Sequence, residues 1–181
     1  VTDLIERISR VKRVPALEAA KVVPHRPGYY TIWVVDEGLL PDAYADQLRQ
    51  QQTHLIYVGI AVGQSLHKRL VKQDLRHESG RSSFFRSLGA ALGFRPPRGS
   101  LAGMKNRDNY TFSATDTAAI IKWIEEHLQV GVIDELPADE EKEKRAIRCL
   151  CPVLNLKHNP HRLGELEAAR RECLAIARSA P

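Results

Sequence analysis

Residues Asp3–Val14 carry Leu4, Ile5, Ile8 and Val11 on one helical stripe with charges on the other side, so the spacing predicts an amphipathic helix. Pro24-His-Arg-Pro27 breaks off any helix. The aromatic and β-branched run Tyr29–Val35 reads as a strand, and His54–Ile60 as a second one paired antiparallel with it. Between them Asp36–Thr53 is polar, holds Gly38, Pro41 and three consecutive glutamines, and reads as a long surface connection. Helical spacing returns in Leu66–His77, with Leu66 and Leu70 inward and Arg69, Lys72 and Arg76 on a neighbouring stripe. Ser83–Leu92 repeats it with Phe84, Leu88 and Ala91, and Gly93–Gly103, with Pro96-Pro97, is a loop. Further on, the pattern predicts a short strand at Tyr110–Thr115, a helix over Asp116–Leu128 and a strand at Gln129–Ile133. Helices over Ala138–Cys151 and His161–Arg178 complete the chain. The order ββααβαβαα implies an α+β fold, a small, mostly antiparallel sheet flanked by helices in a single domain.

With 181 residues, 43% hydrophobic, the chain can bury one core without disulfide or metal staples. That composition excludes wholesale disorder. Uncharged apolar runs such as Tyr29–Val35 fall far short of the ~20 residues of a membrane helix, so no membrane partner is expected. Three cysteines, an odd number, do not make a disulfide framework. Val1–Val14 carries Asp3, Glu6, Arg7 and Arg10 in place of an apolar leader, and a cytoplasmic protein is expected.

The formal net charge is +5, and its distribution says more than its size. Between Ile60 and Arg107 stand ten basic residues, including Lys68, Arg69, Lys72, Arg76, Arg81 and Arg86, against Asp74 and Glu78 alone. Acids gather instead at Asp134–Glu143. A basic face of this kind suits nucleic acid, or is simply solvated.

Three features carry candidate chemistry. Gly28-Tyr29-Tyr30 and Tyr57-Val58-Gly59 lie on two strands whose pairing sets Tyr30 and Tyr57 side by side, although tyrosines are also ordinary strand residues. Arg69, in Leu66-His-Lys-Arg-Leu70, stands where a helix begins and can meet a phosphate, or is a solvated helix arginine. Glu143 shares a helix face with Ile147 and Leu150, and a carboxylate on an apolar face needs a cation or donor unless its head reaches water. Cys149, Cys151, His158 and His161 offer zinc-type ligands, but the two cysteines sit at a helix end and point apart.

Taken together these pieces resemble the GIY-YIG nuclease superfamily, in its bacterial stand-alone branch. The motifs stand here as Gly28-Tyr29-Tyr30, Tyr57-Val58-Gly59, the Arg69 helix, and Glu143 followed by Pro152 and Asn155, over about Pro27–Asn155. The resemblance implies a nuclease core over 27–157, with an N-terminal helical extension (1–26) and a C-terminal helix (158–181) packing on it. It implies a metal-dependent endonuclease that hydrolyses phosphodiester bonds in DNA; the alternative is a catalytically inactive nucleic-acid-binding module on the same scaffold. Glu143 would hold a single Mg²⁺ or Mn²⁺, Arg69 would stabilise charge on the phosphate, Tyr30 and Tyr57 would position or deprotonate the attacking water, and Asn155 would order the site. A phenol acting as base near neutral pH must have its pKa lowered from ~10 to about 7, at roughly 4 kcal/mol. Lys68, Lys72, Arg76, Arg81 and Arg86 would grip DNA, and a homodimer or a protein partner would supply specificity. The sequence departs from the family at its double tyrosine, at Ile60 where a lysine is usual, in the long Asp36–Thr53 segment, and at Gln73, which leaves His77 or His67 as the auxiliary base.

Overall fold

A computed structural model describes residues 2–105, 108–135 and 137–180; Arg107, counted above in the basic stretch, lies outside the described residues. Four strands, β1 (Arg13–Pro15), β2 (Gly28–Val34), β3 (Leu55–Ala61) and β4 (Leu128–Asp134), form one antiparallel sheet in the order β1-β4-β2-β3. Among the described residues seven α-helices flank it: α1 (Thr2–Arg10), α2 (Ala19–Val22), α3 (Asp42–Gln51), α4 (Ser83–Ala91), α5 (Ala114–His127), α6 (Glu140–Leu150) and α7 (Gly164–Arg178). The arginine helix, His67–Leu75, is wound as a π-helix.

Register decides which side chains share a face. Tyr30 pairs with Gly59 and Ile32 with Tyr57, so Tyr30, Ile32 and Tyr57 project to one side, and Tyr29 and Trp33 to the other. A bulge follows, because Trp33 pairs with Leu55 and leaves Ile56 as the extra residue. The Tyr30 side is covered by Leu48 of α3, Leu70 of the π-helix, Phe84 and Leu88 of α4, Ile120 and Ile124 of α5, and Leu166 of α7. The opposite side is covered by Leu4 and Ile8 of α1 and by Ala146 and Ile147 of α6. Both faces are therefore dry.

Three expectations are corrected. The first helix stops at Arg10, and Arg13–Pro15 becomes an edge strand on β4. Three residues with an exposed-partial-exposed pattern carry no strand periodicity to read, and Pro15 suits an edge. The Asp36–Thr53 connection contains α3, a largely polar helix that buries only Tyr44, Ala45 and Leu48. The Tyr110–Thr115 strand does not exist. Tyr110 and Phe112 are buried without sheet partners, and Phe112 lies against Gly89, where a Cβ would overlap its ring. The Ser113 hydroxyl then accepts the Asp116 amide at 3.0 Å and starts α5 directly. Among the described residues no helix is long and apolar enough to cross a membrane.

Candidate active site

The two tyrosines meet as their spacing requires, with ring centroids 6.4 Å apart. Tyr30 crosses directly over Gly59, where any Cβ would overlap its ring and hydroxyl. The glycine of the second motif is therefore an opening for the first motif's tyrosine. Both rings are buried, and Phe84 lies edge-on to Tyr57 at 5.2 Å.

The Tyr30 hydroxyl donates a short hydrogen bond to Asp74, a residue outside the sequence motifs. Asp74 is fully buried on the π-helix. It also accepts from Arg69 Nη1 at 2.7 Å and from the Ser82 hydroxyl at 2.7 Å. Burial pushes the Asp74 carboxyl up, and the Arg69 guanidinium opposes that push together with the Tyr30 and Ser82 hydroxyls. In an α-helix, residues five apart stand about 140° apart around the axis. The π-helical winding brings Arg69 and Asp74 onto one side, and Arg69 also reaches Gln73 at 3.3 Å.

Tyr57 differs from Tyr30 in one decisive respect. Among the described residues its hydroxyl has no hydrogen-bond partner, while Tyr30 is committed to Asp74. Burial and the Asp74 charge push both hydroxyls well above the ordinary tyrosine range, against the pull of Arg69. The protein alone thus prepares neither phenol as a phenolate.

Glu143 projects from α6, which packs on the edge strand β3. It is half-buried, its carboxylate has no hydrogen bond or ion pair among the described residues, and it is pushed up to about 7. Burial is the main cause and Glu140 adds to it, while the nearby Arg69 charge opposes. A poorly solvated carboxylate without a protein cation is a natural seat for a divalent ion. Among the described residues no three His, Cys, Asp or Glu gather into a cage. One carboxylate with open positions fits a hard ion of the Mg²⁺ type, which keeps several waters and takes substrate phosphate as a ligand.

Asn155 completes the edge of β3. Its amide donates to Val58 O at 2.9 Å and its carbonyl accepts from Val58 N at 2.9 Å. Leu154 N donates to Ile56 O at 2.9 Å, so two residues after Pro152 pair the edge strand that carries Tyr57.

His77 stands apart from the tyrosines, stacked on Phe85 at 4.2 Å with neither ring nitrogen partnered. Burial, with Arg86 adding, lowers it to about 4, so the imidazole is neutral at pH 7. His67 stacks instead on His25 at 4.3 Å. Lys68, Lys72, Arg76 and Arg81 are exposed, whereas Arg86 is only 5% exposed. For the zinc reading, Cys149 is exposed and Cys151 buried, and the two do not gather with His158 and His161.

Asp74 carries the same sequence signal as Glu143, a carboxylate on an apolar helix face. It stands four residues after Leu70 on the apolar stripe of its helix, where a carboxylate demands a partner.

Comparison with known proteins gives one family. The model of the GIY-YIG catalytic domain matches residues 28–174, beginning at the glycine of the first motif and extending past Asn155 into α7. No curated protein and no solved structure matches the chain. With that match spanning most of the 181 residues, and with the motif tyrosines side by side and the arginine and glutamate charges acting on Tyr57, the chain belongs to the GIY-YIG catalytic-domain family, which ties it to nuclease function.

Proposed function

We propose that the protein is an endonuclease that hydrolyses phosphodiester bonds in DNA with the help of Mg²⁺ or Mn²⁺. The observation that carries this reading is Glu143: a half-buried carboxylate without a protein partner, beside Arg69 and Tyr57. Glu143 would hold the ion, which supplies Lewis-acid charge to the scissile phosphate when bound. Arg69 offers its guanidinium to the phosphate oxygens, where fixed positive donors act on charge as it develops. Its orientation is set by Asp74, which also engages the Tyr30 hydroxyl. Tyr57, whose hydroxyl is unengaged, orients the attacking water, and Tyr30 is a positioning group. Asn155 keeps the Tyr57 strand in place through Val58. Exposed Lys68, Lys72, Arg76 and Arg81 hold backbone phosphates, a contribution that weakens as salt rises.

The test is incubation with supercoiled plasmid and Mg²⁺, beside EDTA and Glu143→Gln. Nicked or linear product that disappears in both controls supports the reading. A protein that shifts DNA in EDTA and never cuts it, across metals and salt, is a binding module, and the catalytic reading fails. Cleavage that survives Glu143→Gln puts the metal on another residue.

A further inference from the structure

Beyond Arg69 the site has more fixed positive charge than its own carboxylates answer. Arg86, on α4, is 5% exposed, and its Nε is buried without a partner. Among the described residues its side chain makes one hydrogen bond, from Nη1 to Gly80 O at 3.3 Å. Arg170, on α7, donates from Nη1 to Ser83 O at 3.1 Å and to the Ser87 hydroxyl at 3.3 Å, all neutral acceptors. The two guanidiniums approach the Tyr110 ring, at 5.9 Å and 5.5 Å from its centre. Asp74, whose charge acts on Arg86, is already bonded to Arg69. Burial and the like charge of Arg170 lower Arg86 to about 10, the cost of a desolvated cation without an anion. Both arginines also act electrostatically on Tyr57, which places them beside the catalytic cluster.

Arg170 and Tyr110 line a cavity of about 300 Å³. Its two carboxylates, Asp108 and Glu167, are held by Arg178 and Arg162 at 2.5 Å each. Leu156 and Leu174 add apolar wall. An arginine that lacks a carboxylate is matched by an oxyanion such as phosphate, two of whose oxygens its planar fork of donors fits.

We infer that Arg86 and Arg170, arranged about Tyr110, form a second phosphate subsite that holds a backbone phosphate of the DNA strand next to the scissile one. This rests on the DNA-directed reading of the site. Arg170 contacts the phosphate from the cavity side, and Arg86 stands behind as fixed charge. The subsite fixes the register of the strand over Tyr57 and is separate from the exposed Lys68, Lys72, Arg76 and Arg81, which hold other phosphates of the backbone.

The experiment measures binding of a fluorescein-labelled DNA duplex in EDTA, where no cleavage intervenes, at several salt concentrations. The full chain is compared with Arg170→Gln and, should that variant unfold by circular dichroism, with Arg170→Met, which keeps the apolar stem. The slope of log K against log salt is expected to fall by about 0.9 for the lost phosphate contact. Duplexes with a single neutral methylphosphonate at successive positions are then bound. One position is expected to weaken the unaltered protein several-fold and to have no effect on the variant. An unchanged salt slope, or a methylphosphonate profile identical in the two proteins, overturns the subsite. An unaltered protein that binds no DNA overturns both the nuclease reading and the subsite. Binding with the expected profile but no plasmid cleavage in Mg²⁺ overturns the nuclease reading alone.

Discussion

Removing Asp74 should damage the protein in two separable ways, because its two oxygens serve different partners. Oδ1 accepts from both Arg69 and Ser82, and Oδ2 accepts from Tyr30. Asp74→Ala strips all three donors of their acceptor inside a fully buried pocket. Breaking a buried ion pair by deleting one partner costs about 3–5 kcal/mol. Asp74→Asn keeps an oxygen for Arg69 and Ser82 but presents an amide to Tyr30, so the Tyr30 hydroxyl must turn from donor to acceptor. It also removes the charge from the Arg69 bond, where a charge-assisted bond worth ~1.5–3 kcal/mol becomes an ordinary one of about 1. The expected loss is about 1–2 kcal/mol. Urea denaturation at pH 7.5 should therefore rank the unaltered protein above Asp74→Asn and Asp74→Ala last. In a thermal scan the alanine variant should melt at least ~6 °C lower, at about 2–4 °C per kcal/mol for a chain of this size. Plasmid nicking by the folded asparagine variant should fall tenfold or more, since Arg69 loses its anchor and Tyr30 its orientation. An alanine variant within 1 kcal/mol of the unaltered protein would show that the buried carboxylate anchors nothing. Full nicking activity in the asparagine variant would refute the positioning argument even if stability behaved as expected.

Three further outcomes follow from the same geometry. His77 is held neutral with its pKa lowered to about 4, so its folded form resists protonation. Its contribution to stability is complete above the unfolded value of ~6.5 and is lost as pH falls through about 4, roughly 3 kcal/mol in all. His77→Asn, which accepts the positive φ of 55° at this position, should flatten the fall in unfolding free energy between pH 6.5 and 4, and an unchanged slope rules the account out. Gly59→Ala forces a methyl group against the Tyr30 ring and should cost about 1–3 kcal/mol or more in urea titrations, with loss of nicking; a fully stable, active alanine variant would mean that Tyr30 has room to move. Asn155→Ala leaves the Val58 amide and carbonyl to find water at the edge of the sheet, a loss of about 1–3 kcal/mol. Hydrogen exchange should then accelerate first at Val58, and equal protection there in both proteins would contradict the edge-pairing role.

Much of the fold could be read from the chain because its signals are local. Tyr29–Val35 and His54–Ile60 are dense in aromatic and β-branched residues, and they fold as β2 and β3 within a residue of the expected limits. Elements stabilised by distant partners were harder. The edge strand Arg13–Pro15 exists because β4 offers it a ladder, and α3 needs only three inward residues because the sheet and α7 side supply the rest of the core. The Tyr110–Ser113 segment has strand-like residues, yet its aromatic rings fill gaps in a core instead of joining the sheet. At the site, the tyrosines, Arg69 and Glu143 were visible through motif order. That Arg69 and Asp74 are bonded was not, since a regular helix holds those positions apart and nothing in the local spelling announces a π-helix.

The winding of the arginine helix bears on how this segment tolerates changes in length. A regular α-helix brings residues four apart into contact. Excising one residue between the arginine and the aspartate, Gln73 for instance, would convert the wide turn to a regular one and still leave the two side chains facing. The slack falls in the Arg76–Ser82 connection, which already includes two positive-φ residues, His77 and Gly80. An insertion at the same place has no such remedy, because the helix already holds the widest turn that common helical geometry offers. Across chains built on this plan, the arginine helix should therefore shorten by one residue more readily than it lengthens.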